Sequence, residues 1–155
     1  MGLTMDFAKL AGADALDLAV FAENEAKAYY EEIASMMGRG GNPEAARFFT
    51  RMAGWEALHA KQIAAVRERL FAGVASNLAN RAAWAVEVPQ TPSGAAEVTL
   101  RQALEIALQA EVDAYEYYSG ALEYVTNPEV GELFEALREA EQDHQRMLQQ
   151  ELVKL

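Results

Sequence analysis

The chain contains no cysteine. That excludes disulfide bonds, thiolate nucleophiles, iron–sulfur clusters and thiolate metal sites, so a metal would have to be held by oxygen and nitrogen. Histidine is nearly as scarce, with two residues in 155, and proline is limited to four. Few prolines permit long unbroken helices. Basic residues number 13 against 24 acidic ones, a formal charge of −11, which excludes nucleic acid as a partner because phosphate backbones demand a basic face. The sequence has no apolar run of about 18 residues, and its start, Met1-Gly2-Leu3-Thr4-Met5-Asp6, lacks a basic stretch followed by an apolar one. Neither a membrane span nor a secretory signal is expected, and a cytoplasmic location is the simplest expectation.

What is present is apolar sequence at helical spacing. Hydrophobic residues, chiefly Ala and Leu, make up 52% of the chain, enough for one all-α domain over residues 1–155 with a continuous core. Residues 14–37 place Leu16, Ala19, Ala26, Tyr30, Ile33 and Met37 on one helical face, and Glu23 belongs to the same series. Gly38-Arg39-Gly40-Gly41 breaks the pattern, and Asn42-Pro43 supplies a cap and a first-turn proline for a second helix. Its seam runs Phe49, Met52, Glu56, His59, Ile63, Val66 and Leu70, with Arg51, Lys61 and Arg67 off the seam.

From about residue 71 to 98 the periodicity fades, and Gly73, Asn77, Pro89, Pro92 and Gly94 punctuate a long crossover. A short helical piece is expected around Ser76 to Val86, with Trp84 as a cover over the bundle. Thr99 and Gln102 form a capping box for a third helix, whose seam reads Leu104, Ala107, Glu111, Ala114, Tyr118, Ala121 and Val125. Asn127-Pro128 opens a fourth, with Phe134, Leu137, Glu141, His144, Leu148 and Leu152.

The two halves, about 14–70 and 99–153, repeat each other. Glu23 to Tyr30 aligns with Glu111 to Tyr118 at an offset of 88 residues, and Asn42-Pro43 through Glu56 and His59 aligns with Asn127-Pro128 through Glu141 and His144 at 85. The difference of three is expected in the glycine-rich loop. Two αα-hairpins joined by a long crossover predict a four-helix bundle with approximate twofold symmetry.

Each seam is interrupted near its centre by a glutamate, so folding would gather four carboxylates in a low-dielectric layer. Burying an ionised carboxylate costs several kcal/mol even after relaxation, and like charges add repulsion. No lysine or arginine occupies these positions. Two divalent metals would neutralise all four acids and leave His59 and His144 as neutral nitrogen ligands. A single Glu-x-x-His arises readily by chance in an acidic helix. Here both histidines of the chain lie in that motif, in seam register, each preceded by a seam glutamate, and Glu and His three residues apart share one helical face. Glu23, Glu56, His59, Glu111, Glu141 and His144 are therefore the candidate ligands of a two-metal site.

Tyr30 and Tyr118 each lie two turns beyond a candidate ligand on the same face. They are either core residues with satisfied hydroxyls or hydrogen-bond donors to the ligands near the reacting centre. Tyr29, Tyr115, Tyr117 and Tyr124 read as flanking packing or surface. Met36, Met37, Met52 and Met147 read as gap-filling core, and Glu25, Glu31, Glu32, Glu105, Glu116, Glu132, Glu135 and Glu139 as solvated faces.

At Glu23-x-x-Ala26-x-x-x-Tyr30, Glu56-x-x-His59, Glu111-x-x-Ala114-x-x-x-Tyr118 and Glu141-x-x-His144 the chain resembles the rubrerythrin-like branch of the ferritin-like superfamily. The resemblance implies that Glu56 and Glu141 bridge two irons while Glu23 with His59, and Glu111 with His144, complete the ends. It implies a diiron-carboxylate oxidoreductase that reduces hydrogen peroxide or dioxygen, or else a ferroxidase. A non-catalytic, metal-stabilised bundle is the alternative of another class. Manganese or zinc could occupy the same ligands. Rubrerythrins resemble this chain with a four-cysteine rubredoxin module added and a glutamate where this sequence has Ala114; without that module the electrons would come from a separate donor. Cage ferritins carry a further C-terminal helix, so a homodimer is expected and a storage shell is not.

Overall fold

Asn42 and Asn127 each turn a side-chain oxygen onto the helix that follows. Asn42 Oδ1 accepts from Ala45 N at 3.1 Å, and Asn127 Oδ1 accepts from Glu129 N at 2.9 Å and Val130 N at 3.2 Å. Pro43 and Pro128 then occupy the first turn, where a missing N–H is harmless. At Thr99 the capping box closes in both directions, Gln102 N donating to Thr99 Oγ1 at 3.1 Å and Thr99 N to Gln102 Oε1 at 2.9 Å. These signals set the starts of three of the four helices in the computed structural model, which describes residues 12–75 and 98–155. The helices are α1 (Gly12–Arg39), α2 (Pro43–Phe71), α3 (Leu100–Leu122) and α4 (Pro128–Val153). The short helix expected around Ser76 to Val86 and the cover expected of Trp84 lie outside the described residues.

The architecture is the expected four-helix bundle. α1 packs along α2 and α3 along α4, and contacts between the hairpins are sparser. Helix boundaries refine the repeat: α1 runs on through Gly38 to Arg39 while α3 stops at Leu122. Past its central glutamate α1 is five residues longer than α3, while the loop 40–42 is two residues shorter than 123–127, so the three-residue difference lies in helix length and not, as expected, in the loop. The turn after α1 is made at Gly41, whose φ of 80° suits glycine, and Asn42 N donates back to Met37 O at 2.8 Å. Val125 lies beyond α3, yet still packs against the core.

The core is divided in two. One cluster gathers Tyr30, Ile33, Phe49, Met52, Leu104 and Leu148; the other gathers Leu16, Ile63, Tyr118, Phe134 and Leu137. Along every helix the central glutamate falls between residues of the two clusters, so the polar layer is a slab with an apolar plug on each side. Fully burying one such large apolar side chain contributes about 1.5–3 kcal/mol, and Ile33, Phe49, Ile63 and Phe134 are each 0% exposed. No described helix is long and apolar enough to cross a membrane.

Candidate metal centre

One glutamate comes from each helix, and α2 and α4 add a histidine one turn further on. All six candidate ligands are buried. His59 Nδ1 lies 3.6 Å from Glu23 Oε2, 3.8 Å from Glu56 Oε2 and 3.5 Å from Glu141 Oε1. His144 Nδ1 lies 2.8 Å from Glu56 Oε1, 3.4 Å from Glu111 Oε2 and 3.8 Å from Glu141 Oε2. The donor atoms fall into two overlapping groups, Glu23, Glu56, His59 and Glu141, and Glu56, Glu111, Glu141 and His144, with the atoms of each group within 4.8 Å of one another. Glu56 and Glu141 belong to both.

Glu56 Oε1, Glu111 Oε2, Glu141 Oε1, His59 Nδ1 and His144 Nδ1 are buried without a hydrogen-bond partner. Among the described residues only one other side-chain atom, Ser119 Oγ, shares that condition. Carboxylate oxygens crowd the two Nδ1 atoms, but none lies in line to accept a proton from them. Buried polar atoms go unpaired rarely, and hard oxygens with imidazole nitrogens are the donor set of a first-row divalent metal. The residues fit such a centre.

The sequence matches the Rubrerythrin family over residues 14–152. The chain belongs to the rubrerythrin family. Like that family, three solved proteins share the chain's fold. An uncharacterized conserved protein from Magnetospirillum magnetotacticum is 26% identical, with a TM-score of 0.77 over 94% of this chain and 95% of that one. A candidate ferritin-like diiron-carboxylate protein from Thermotoga maritima is 20% identical, with a TM-score of 0.69 over 90% and 93%. A hypothetical protein from Pyrococcus furiosus is 21% identical, with a TM-score of 0.74 over 96% and 94%. No curated protein matches.

Within this rubrerythrin-family bundle the two tyrosines of the seam cross between hairpins. The Tyr30 hydroxyl on α1 donates to Glu111 Oε1 on α3 at 2.5 Å, and the Tyr118 hydroxyl on α3 donates to Glu23 Oε1 on α1 at 2.6 Å. Tyr29 donates to Ala103 O at 2.9 Å and Tyr117 to Ala15 O at 2.5 Å. Both reciprocal pairs obey the offset of 88 residues that the sequence repeat shows. Tyr29 and Tyr117, expected as flanking packing or surface, are buried ties between α1 and α3; Tyr124 is the exposed one.

The electrostatics divide the four acids into two kinds. Burial pushes the Glu23 carboxyl up, but Glu56, His59 and Tyr118 against it more than offset this and hold it at about 2. Glu111 is lowered in the same sense: burial opposes, while Glu141, His144 and Tyr30 prevail. Glu56 and Glu141 are pushed well up, first by burial and then by neighbouring carboxylates. Burial works against charge on the histidines, yet the surrounding glutamates raise His59 to about 9 and His144 to about 10. Burial and the adjacent carboxylates raise Tyr30 and Tyr118 well above the usual phenol value, so both remain protonated donors. Without metal, these directions favour charge on Glu23 and Glu111 and protons on the two histidines and the two shared acids.

Two further residues escaped sequence reasoning. Asp113 on α3 is buried and accepts from Gln109 Nε2 at 3.0 Å; its counterpart, Glu25, is exposed, so no repeat signal marked it. Trp55, next to Glu56, stacks on His144 across the bundle. Only its position beside a ligand hinted at that.

Proposed function

We propose that the layer holds two iron ions and that the protein is a diiron-carboxylate oxidoreductase that reduces hydrogen peroxide or dioxygen. The observation that carries this is the overlap of the two donor groups at Glu56 and Glu141. Those acids would serve both metals, while Glu23 with His59 and Glu111 with His144 would complete the two ends. Two bound Fe(II) ions supply two electrons, enough to turn one hydrogen peroxide and two protons into two waters and leave two Fe(III).

The chain's own residues hold and insulate that chemistry. Tyr118 and Tyr30 each occupy one oxygen of Glu23 and Glu111, so these acids cannot swing freely and present their second oxygens inward. Phe49 and Tyr30 stack on one side, ring centroids 6.0 Å apart, and Tyr118 and Phe134 meet edge-on at 5.1 Å on the other. These plugs close the layer along the bundle axis and lower the dielectric in which its charges interact. A separate donor is proposed to return the electrons, a reading that fits a chain without thiolates of its own, and a homodimer is the assembly proposed.

The test is anaerobic reconstitution of metal-free protein with Fe(II), metal analysis, and optical spectra before and after peroxide or air. Two irons per chain, oxidised together and reducible again without loss of metal, are expected. Oxidation of many added irons per chain would make iron the substrate and the protein a ferroxidase. Bound metal with no spectral response to either oxidant would leave a structural metal bundle, and preference for manganese over iron would change the metal while keeping the site.

A further inference from the structure

The two ends of the layer match in their acids and tyrosines but differ in what covers their histidines. Trp55 on α2 lies against His144 on α4, ring centroids 5.5 Å apart and planes 28° from parallel. His144 in turn stacks on His59 at 5.6 Å and 18°. Three rings therefore form one stack with the indole at one end and His59 at the other. Among the described residues no aromatic ring continues the stack beyond His59.

The repeat shows why. Trp55 immediately precedes Glu56, and the residue that immediately precedes Glu141 is Ala140. A methyl group has no face to lay over an imidazole. The exposures follow this difference: the His59 side chain is 11% exposed and that of His144 is 4%. Trp55 is itself 37% exposed, so it stands between solvent and His144 and is not part of the buried core.

An indole in this position acts on His144 in two ways. It limits rotation of the imidazole, keeping Nδ1 beside Glu56 and Glu111. It also fills the space by which water or a competing chelator would reach the ring. Groups that orient a ligand from outside the coordination sphere commonly change metal affinity by about 10- to 100-fold.

We propose that Trp55 makes the two metal positions inequivalent: the ion at Glu111 and His144 is retained, and the ion at Glu23 and His59 exchanges with solvent. Trp55 is a positioning residue and not a ligand. The inference rests on the two-metal reading above and adds an asymmetry that the repeated motif does not contain.

The experiment uses full-length metal-free protein loaded with Co(II), which reports occupancy by its optical bands, followed by release into excess EDTA. Two release phases of equal amplitude are expected. Trp55→Ala should speed the slow phase about tenfold or more and leave the fast phase alone; Trp55→Phe, which keeps an aromatic face, should restore most of the retention. Ala140→Trp should slow the fast phase. In a Trp84→Phe background, emission from Trp55 should recover with the slow phase, placing the retained ion beneath the indole. The metal-free melting temperature of Trp55→Ala should match that of the parent.

A single release phase in the parent, unchanged phases in Trp55→Ala, or emission recovering with the fast phase would overturn the proposal. So would a Trp55→Phe variant as leaky as Trp55→Ala. Failure to take up Co(II) at all, visible at the loading step, would instead overturn the two-metal reading and this inference with it.

Discussion

Tyr30 on α1 reaches across the bundle and donates to Glu111 on α3 at 2.5 Å, holding the acid from outside the layer. Burial and the nearby glutamates keep the phenol protonated far above its usual range, so the bond persists wherever the protein is folded. Tyr30→Phe deletes the donor and keeps the ring. Hydrogen bonds to charged groups contribute about 1.5–3 kcal/mol, and a loss of that size is expected in urea denaturation of the metal-free protein. Tyr118→Phe should cost a similar amount through Glu23, because the two bonds are related by the repeat. Unequal losses would mean that the halves carry their acids differently.

Glu56 and Glu141 should trade stability for binding. Both carboxyls are pushed well up by burial and by neighbouring acids, so ionising them in the metal-free fold is unfavourable. Glu56→Gln imitates the protonated form without the option of ionising. At pH 8 the metal-free variant should melt above the parent, by the equivalent of about 1 kcal/mol or more, and should lose its uptake of two metals. A variant that still binds two ions per chain would remove Glu56 from the ligand set.

Metal loading and proton release should go together. The raised groups, His59, His144, Glu56 and Glu141, give stability below their unfolded values that is lost as pH rises through their folded ones. The histidine window runs from 6.5 to about 9 for His59 and about 10 for His144. The lowered acids, Glu23 and Glu111, give stability present above 4.5 that is lost as pH falls, through about 2 for Glu23. Metal-free protein should therefore be most stable near pH 4.5, the unfolded value of its acids, where the lowered pair contributes in full and the raised pair has not begun to lose. Metals need deprotonated ligands, so the gain in melting temperature on loading should grow from pH 6 to pH 9. Calorimetry in buffers of different ionisation enthalpy should find up to four protons released as two metals bind, one from each raised group. Uptake without proton release would show that the cluster is not the binding site.

Helical periodicity carried most of the candidate site because its six residues obey the same spacing as the core. Glu23, Glu56, Glu111 and Glu141 lie in the seams between apolar residues, and Asn42, Thr99 and Asn127 announce helix starts through local capping that needs no tertiary context. The crossing bonds were less legible. That Tyr30 and Tyr118 lie on the right face follows from spacing, but that each meets the other hairpin's acid depends on the relative height of α1 and α3, which periodicity within one helix does not encode. Tyr29 and Tyr117 lie one residue off the seam and are buried only because the neighbouring hairpin presents Ala103 and Ala15 to them. The Trp55 stack is likewise a relation between α2 and α4.

Arg67 is another such case, since it reads as an off-seam charge and is in fact a tie. Its guanidinium donates from Nε to Asp17 Oδ1 at 2.8 Å, with a longer 3.3 Å bond to Oδ2, and to Phe71 O at 2.5 Å and Val74 O at 2.7 Å. One planar fork thus fastens the end of α2 and the chain leaving it to α1. The turn there passes through Gly73, with φ of 80°, and offers little apolar surface of its own. Lysine carries the charge but has one nitrogen, which cannot span a carboxylate and two carbonyls set apart in this way. Arg67→Lys should cost about 1 kcal/mol, a fall of about 2–4 °C in melting temperature for a chain of this size. It should also speed proteolysis after Phe71 while leaving metal stoichiometry unchanged, because the arginine touches none of the six candidate ligands. If lysine substitutes without loss, the carbonyl bonds add nothing and the tie is a simple ion pair to Asp17; a neutral Arg67→Gln variant would then show the full cost.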